Sequence, residues 1–413
     1  MECLKEVDCL GSKALIVGSG AQGRVIAYFF DRDEDMELVK LTDIDRRTLD
    51  YCMKFYRKAE THVVSAEDVE TLSKLAEDVD ILVNAVPVKF NLKLMEAALK
   101  AGTNYLDMAF EYRDFEKIIG LHEKFRSEDL TALVAFGVSP GLTDVVVGLA
   151  ADELDGVEEV RILLGGREES DVVYTTWSPE IFLDDCTRAP MVYEDGEIKY
   201  LEPFSEPEVV ELPGVGKVRV YAHPHEEVFT VSKSVKGVRR VIVKMGGEEM
   251  DFLCTLYRMG ILYKDAMVRG RKVRIDDVEV DPARLILKFL PRPITGEELR
   301  EYVERGLIRE VKGTVLVEVK GLKDGRRCVV RSYSPIPPIR EIVEAVPLAN
   351  ETSYVTSLCA YTAAKMVVDG SIKSRGVLFP EELTREERLE FVKRIGAFRP
   401  PIKVKTEMSM DLN

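Results

Sequence analysis

Apolar runs and polar gaps alternate over the first third of the chain. KALIVG (13–18), MELVKLTD (36–43), HVVSA (62–66), DILVNAVP (80–87), NYLDMAF (104–110) and TALVAFG (131–137) are short and rich in strand formers. Between them RVIAYFF, DVETLSKLAED, LKLMEAALKAG and FEKIIGLHEKF repeat apolar positions at helical spacing. This alternation predicts a doubly wound parallel sheet, an α/β unit with helices on both faces. Continuous apolar stretches such as ILVNAV fit strands covered on both sides, since a wet face would impose alternation. GVSPG at 137–141 predicts the exit from this unit.

The period then changes. VEEVRILLGG, GKVRVYAHPHEEVFTV, TVLVEVKG and RRCVVRSY alternate apolar and polar residues, as half-exposed strands of a mixed or antiparallel sheet do. Asp324-Gly325, between the last two runs, predicts a tight hairpin turn. MDFLCTLYRMGIL, TGEELREYVERGL and NETSYVTSLCAYTAAKMVVDG read as helices. The second part is therefore expected to be an α+β domain with a mixed sheet.

Composition narrows the partners. The 413 residues carry a net charge of -15, so the overall field repels nucleic acid and anionic membranes. No run approaches the roughly 18 apolar residues of a membrane span, and no secretory signal layout precedes the first strand. A cytoplasmic protein is expected. Seven scattered cysteines without a CxxC pair argue against a disulfide framework and a zinc site. His223 and His225 form an HxH pair that would point to one face of a strand, but two ligands do not make a metal site.

The chemistry starts at IVGSGAQGRV. Gly18 permits the strand-to-helix turn, Gly20 lets backbone approach a pyrophosphate, and Gly23 allows close helix–strand packing. Glycine-rich turns are common, but here a strand precedes, a helix follows, and Asp43 closes the next strand twenty residues after Gly23. A carboxylate there accepts hydrogen bonds from ribose hydroxyls and repels a 2′-phosphate, which favours NAD. Arg46 and Arg47, just beyond, keep NADP as the alternative. Cofactor contacts are expected from Gly18, Gly20, Ala21, Gln22 and Gly23, from Asp43 and Ile44, and from Asn84, Ala85, Val86 and Pro87 after the fourth strand.

VGSGAQG, VNAVP, AALKAGTNYLDMAF, FGVSPGLTDVV, IFLDDCTRAPMVYEDGEI and VVDGSIKSRGVLFPEE occur in this order over nearly the whole chain. In this the chain resembles the saccharopine dehydrogenase family, especially its short members related to lysine dehydrogenase. The resemblance implies a Rossmann-type dinucleotide domain over 1–140 and a substrate-binding and dimerisation domain over 141–350. It further implies a C-terminal helical segment over 351–413 that packs back on the first domain, and a homodimer. The implied activity is NAD(P)-linked oxidation or reduction at a C–N bond of a small-molecule amino-acid substrate such as a lysine conjugate, through an imine. SVKGVRRVIVKMGG departs from the Arg-Tyr-Pro-Gly-His segment of the lysine dehydrogenase relatives, which puts lysine itself in doubt.

The same resemblance places Ser139, Pro140, Gly141 and Leu142 beside the nicotinamide, where free amides at a helix start could also hold a carboxylate. Arg188 is carried over as a carboxylate ligand, against the plain reading of a surface arginine paired with Asp184 or Asp185. Arg239 or Arg240 is the candidate second anchor. Acid/base candidates are Asp107 and His225, with His223, Glu180 and Tyr174 also in view and Tyr174 as a substrate contact. Two rivals stand: a polyamine-type synthase or dehydrogenase using Glu180, Asp184 and Asp185 for a polycation, and a non-catalytic NAD-binding protein.

Overall fold

The computed structural model describes residues 11–263, 272–294 and 296–410. Strands β1 (Ser12–Val17), β2 (Met36–Asp43), β3 (Ala59–Val63), β4 (Ile81–Asn84), β5 (Asn104–Asp107) and β6 (Thr131–Leu133) alternate with helices. All their pairings are parallel, in the order β6-β5-β4-β1-β2-β3. Central strands are covered on both faces: every residue of β4 and β6 is buried, as the unbroken apolar runs require. The strand order reverses between β1 and β4, and the crevice beyond their carboxyl ends is where ligands bind in such sheets.

The second sheet is mixed. It contains β7 (Gly156–Ser170), β8 (Met191–Glu194), β9 (Glu197–Tyr200), β10 (Glu208–Leu212), β11 (Gly216–Ala222) and β12 (Arg240–Gly246), followed by β15 (Ile308–Lys323) and β16 (Arg326–Pro335). β12 runs parallel to β7, whereas β15 runs antiparallel to it. The β15–β16 hairpin closes at Asp324-Gly325, whose φ values of 51° and 72° suit a two-residue turn of the primed type. A separate hairpin, β13 (Val273–Ile275) with β14 (Val278–Val280), leads into the helix Pro282–Phe289.

The chain end then visits both sheets. β17 (Gly376–Leu378) extends the first sheet beside β6, a seventh parallel strand that the six-strand reading did not include. β18 (Lys405–Met410) pairs with β16 in the second sheet. Between β16 and β17 the helix Glu351–Val368 is buried along most of its length and packs on the helix Gly23–Arg32. Asn350 caps it: its side chain accepts from the Ser353 amide at 2.8 Å while the Ser353 hydroxyl accepts from the Asn350 amide at 2.9 Å.

One expected strand is shorter than its alternating pattern. GKVRVYAHPHEEVFTV gives β11 only to Ala222; Pro224 offers no ladder N–H, and Glu227–Ser234 folds as a helix. His223 and His225 therefore sit in the connection and not on a strand.

Candidate active site

The glycine loop makes a tight turn between β1 and the helix Gly23–Arg32. The Gly18 amide donates to Thr42 O at 2.9 Å, and its φ of +102° is one that side chains rarely adopt. A Cβ on Gly23 would lie 1.8 Å from Gly18 O, so helix and turn touch backbone to backbone. A Cβ on Gly20 would meet nothing within 4 Å: this glycine faces open space at the start of the helix Gly23–Arg32. The three positions thus divide into turn, approach face and packing contact, the arrangement a pyrophosphate at a helix N-terminus needs.

Asp43 is fastened to the same loop. Its Oδ2 accepts from the amide and the hydroxyl of Ser19 at 2.8 and 2.7 Å, and its Oδ1 from the Asp45 amide at 3.0 Å. Partial burial raises its pKa, but these hydrogen bonds outweigh burial and hold the carboxyl below its ordinary range. Ile44 is 73% exposed beside it, an apolar side chain left on the crevice rim. Gln22 is held from the other side, with Ser357 Oγ donating to Gln22 Oε1 at 2.9 Å.

Asn84 and Asp107 occupy the interior beneath this crevice. Asn84 Nδ2 donates to Asn91 Oδ1 at 3.0 Å and to the Tyr105 hydroxyl at 2.9 Å, and its Oδ1 accepts from the Val86 amide at 3.0 Å. Tyr105 and Asn91 each donate to Asp107 Oδ2 at 2.8 Å, and the Ala135 amide donates to Oδ1 at 2.7 Å. Burial pushes Asp107 up to about 7. At 1% exposure, with all these donors around it, Asp107 braces the loops after β4 and β6 instead of meeting a ligand. Asn84 likewise shapes the loop from below, leaving Ala85, Val86 and Pro87 as its outer surface.

The turn GVSPG faces the second sheet. The amides of Gly141, Leu142 and Thr143 donate to Asp144 Oδ2, Gly137 O and Val138 O, at 2.8, 3.0 and 3.1 Å. The helix start expected to offer free donors to a carboxylate has therefore already used them. Ser139 is engaged as well: its hydroxyl donates to Glu227 Oε1, which also accepts from Thr143 Oγ1 at 2.9 Å. The other oxygen of Glu227 pairs with His225 Nδ1.

A charged cluster surrounds His225. Burial disfavours its protonated ring, but Glu227, Glu226 and Asp185 outweigh burial and raise it to about 9. Burial lifts Glu226 to about 7 and Asp185 to about 6, while nearby cations pull the other way. His223, 5% exposed and next to the charged His225, is pushed down to about 3 and stays neutral. His225, Glu226 and Glu227 bring potential metal-ligand atoms within 4.8 Å of one another, yet both Glu227 oxygens and His225 Nδ1 are already engaged.

Arg188 reaches this cluster with one nitrogen. Its Nη2 donates to Asp184 Oδ2 and Asp185 Oδ1, both at 2.9 Å, and 43% of the side chain is exposed. Nε and Nη1 make no hydrogen bond among the described residues, so one edge of the guanidinium remains open to a carboxylate. Arg240 does not converge with it. At the start of β12 it is bound to Glu194 at 2.6 Å and to both oxygens of Glu206 at 2.9 and 2.8 Å. Arg239 is exposed and pairs with Asp195 at 3.2 Å. The second cationic anchor expected from this pair is thus consumed by strand-face carboxylates. Glu180 lies exposed in the first turn of the helix Pro179–Thr187 and accepts from Ser178 Oγ at 2.9 Å. Tyr174, 5% exposed, donates to Glu351 Oε1 at 2.9 Å, and burial beside that carboxylate keeps its phenol protonated.

The family profile for the saccharopine dehydrogenase NADP binding domain matches residues 14–133, and that for the saccharopine dehydrogenase C-terminal domain matches 137–396. The chain belongs to the saccharopine dehydrogenase family. It is an oxidoreductase that binds a nicotinamide dinucleotide. Carboxyaminopropylagmatine dehydrogenase of Synechocystis sp. is 26% identical over 404 residues, 93% of this chain and 96% of that protein. Carboxynorspermidine synthase of Vibrio alginolyticus is 25% identical over 414 residues, covering 92% and 95%. Apo saccharopine dehydrogenase (L-Glu forming) from Saccharomyces cerevisiae shares the fold, with a TM-score of 0.70 at 15% identity over 97% of this chain and all of that one.

Within this saccharopine dehydrogenase fold, sequence patterns overlooked several acids. Glu226 and Glu227 follow His225 in a run that alternates like a strand, so their convergence on one turn left no periodic signal. Glu168, Glu249 and Glu351 come from β7 and from two helix starts, 81 and 102 residues apart in turn, and only the fold brings them together. No described helix is long and apolar enough to cross a membrane.

Proposed function

We propose that the protein is an NAD(P)-dependent dehydrogenase acting at the secondary-amine C–N bond of a carboxylated polyamine-type conjugate. The observation that carries this is the charge inventory facing the turn 137–141. One guanidinium edge, at Arg188, is open among the carboxylates of Asp184, Asp185 and Glu226, while Arg240 is fully engaged. A saccharopine-like substrate with several carboxylates finds a single anchor there; a conjugate with one carboxylate and further ammonium groups fits the balance. The two relatives covered almost end to end carry names of that chemical type, which supports the same choice.

A bound reduced nicotinamide supplies hydride to the carbon of a C=N bond. The chain's own work is to hold that carbon beside the turn 137–141 and to manage one proton. Arg188 grips the carboxylate through its open edge. His225, charged at neutral pH, stands ready to donate a proton from its ring to the reacting nitrogen or the departing water oxygen, with Glu227 fixing the ring's orientation. The carboxyl of Glu226, near 7, relays the proton onward. The full balance is aldehyde plus primary ammonium plus hydride plus one proton, giving secondary ammonium and water.

We further propose NAD as the preferred dinucleotide, because the charged, loop-bound Asp43 leaves no room for a 2′-phosphate. The reading also includes domains over 1–140 and 141–350, a segment 351–413 returning to the first, and a homodimer. Val273, Ile275 and Val278 on the β13–β14 hairpin and Leu285 and Phe289 on the following helix are exposed apolar side chains of the kind a second copy would cover. The test of the reaction is absorbance of the reduced ring with NADH or NADPH, an amine panel (putrescine, agmatine, lysine) and succinic semialdehyde. Oxidation with the diamines supports the reading. Turnover with lysine alone, or with no amine, overturns it.

A further inference from the structure

Tyr174 joins a second group of acids, distinct from the His225 cluster. Its hydroxyl donates to Glu351 Oε1 at 2.9 Å and lies near enough to the Glu168 carboxyl to favour its charged form against burial. Glu249, exposed at the start of the helix Glu248–Arg258, is close enough to both glutamates to feel their charges. Glu351 is 5% exposed, and its Oε2 has no hydrogen-bond partner. An ionised carboxyl oxygen in that position is costly to leave unmatched. Among the described residues no lysine or arginine pairs with Glu168, Glu249 or Glu351, whereas the buried Glu318 is matched by Arg161 and Arg331. Burial, with the Glu168 charge, lifts Glu351 to about 7, and burial raises Glu168.

The group is linked to the 137–141 turn through the helix that carries Glu351. Thr356, five residues along the helix from Glu351, stands against Gly137 of the GVSPG turn: a Cβ on Gly137 would be 3.1 Å from Thr356 Cγ2. Five residues of helix span about 7.5 Å. The segment after Tyr174 closes the circuit: Thr176 O accepts from Asn350 Nδ2 at 2.8 Å, and the helix Pro179–Thr187 then runs to Asp185 and Arg188 beside His225. Glu351 therefore stands about one and a half helical turns from the residue that packs on the 137–141 turn.

We propose that Glu168, Glu249 and Glu351, with Tyr174 as orienting donor, form the subsite for a distal cation of the substrate, an ammonium or guanidinium separated from the reacting nitrogen by a short alkyl chain. This rests on the reading of the protein as a C–N dehydrogenase and adds what selects its amine. A cation seated there gives Glu351 Oε2 its missing donor and relieves the repulsion among the three carboxyls. An amine without a second cation leaves both unrelieved.

The test is calorimetric titration of the full chain with putrescine, agmatine and n-butylamine, alongside NADH oxidation with succinic semialdehyde. Wild type is expected to bind putrescine or agmatine at least about tenfold more tightly than n-butylamine. E249Q, at an exposed position, and E351Q should each reduce that preference about tenfold, with the NADH dissociation constant unchanged. E249Q keeps the test decisive where E351Q does not fold. Equal binding of putrescine, agmatine and butylamine to wild type, or an undiminished preference in E249Q, overturns the subsite. Glutamate-dependent diamine binding without any NADH oxidation would instead overturn the reaction and leave the subsite standing, so the two failures are distinguishable.

Discussion

The Ser139 hydroxyl donates to the carboxylate of Glu227, joining the turn that follows the first sheet to the helix that follows β11. Through that carboxylate, the position of His225 is tied to the loop at the crevice of the dinucleotide sheet. In the proposed reaction this glutamate couples the proton donor to the cofactor crevice, and its removal is expected to act on protonation before anything else.

Glu227→Gln removes the main charge that raises His225. With a ring at about 9, the charged form persists through neutral pH in the wild type. The alkaline limb of log kcat/KM should move toward acid by about one unit or more in E227Q. The linkage to stability has the same sign. His225 contributes stability that is fully present below its ordinary pKa near 6.5 and is lost as pH rises through about 9. Thermal melts from pH 6 to 10 should show that loss in wild type and less of it in E227Q. An unmoved limb would remove His225 from the reaction.

Gly20 and Gly23 should behave oppositely. Gly20→Val fills the open face without a clash, so the melting temperature stays while NADH affinity falls by about tenfold or more. Gly23→Ala puts a methyl 1.8 Å from Gly18 O and should destabilise the fold by about 1–3 kcal/mol. Fluorescence titration and thermal denaturation on both variants separate the two roles.

Asp43→Ser shortens the carboxylate to a hydroxyl and removes its repulsion of a 2′-phosphate. The ratio of NADPH to NADH dissociation constants should fall by about tenfold. A wild type that already binds NADPH more tightly would show that Arg46 or Arg47, exposed beyond the loop, decides the choice.

Arg188→Ala should raise the KM for a carboxylated aldehyde by about tenfold or more, leaving the NADH dissociation constant unchanged. Arg240→Ala removes one cation from Glu194 and Glu206, which keep Lys199 and Lys244, and should lower the melting temperature modestly without that KM effect. Equal KM values for R188A and wild type would return Arg188 to a surface pair with Asp184 and Asp185.

The alternation of apolar runs by itself determined the doubly wound sheet, because a strand buried on both faces has to be continuously apolar and a helix between strands has to carry one apolar face. Gly18, Gly20, Gly23 and Asp43 could likewise be read locally, since turn, approach and ribose contact all depend on residues within one βαβ unit. The seventh strand escaped notice because Gly376–Leu378 lies about 240 residues after β6, outside the run of alternating strands and helices, and only the fold sets it beside β6. Tertiary structure alone decided which charges are spent and which remain. Asp107 looked like a strand-end acid and is a buried brace; Arg240 looked like a substrate anchor and is held by Glu194 and Glu206. Glu227 reaches Ser139, and Glu351 reaches Tyr174, across 88 and 177 residues of chain. Such pairings carry no periodic signal, because the strength of an ion pair or hydrogen bond depends on distance and burial in space and not on separation along the sequence.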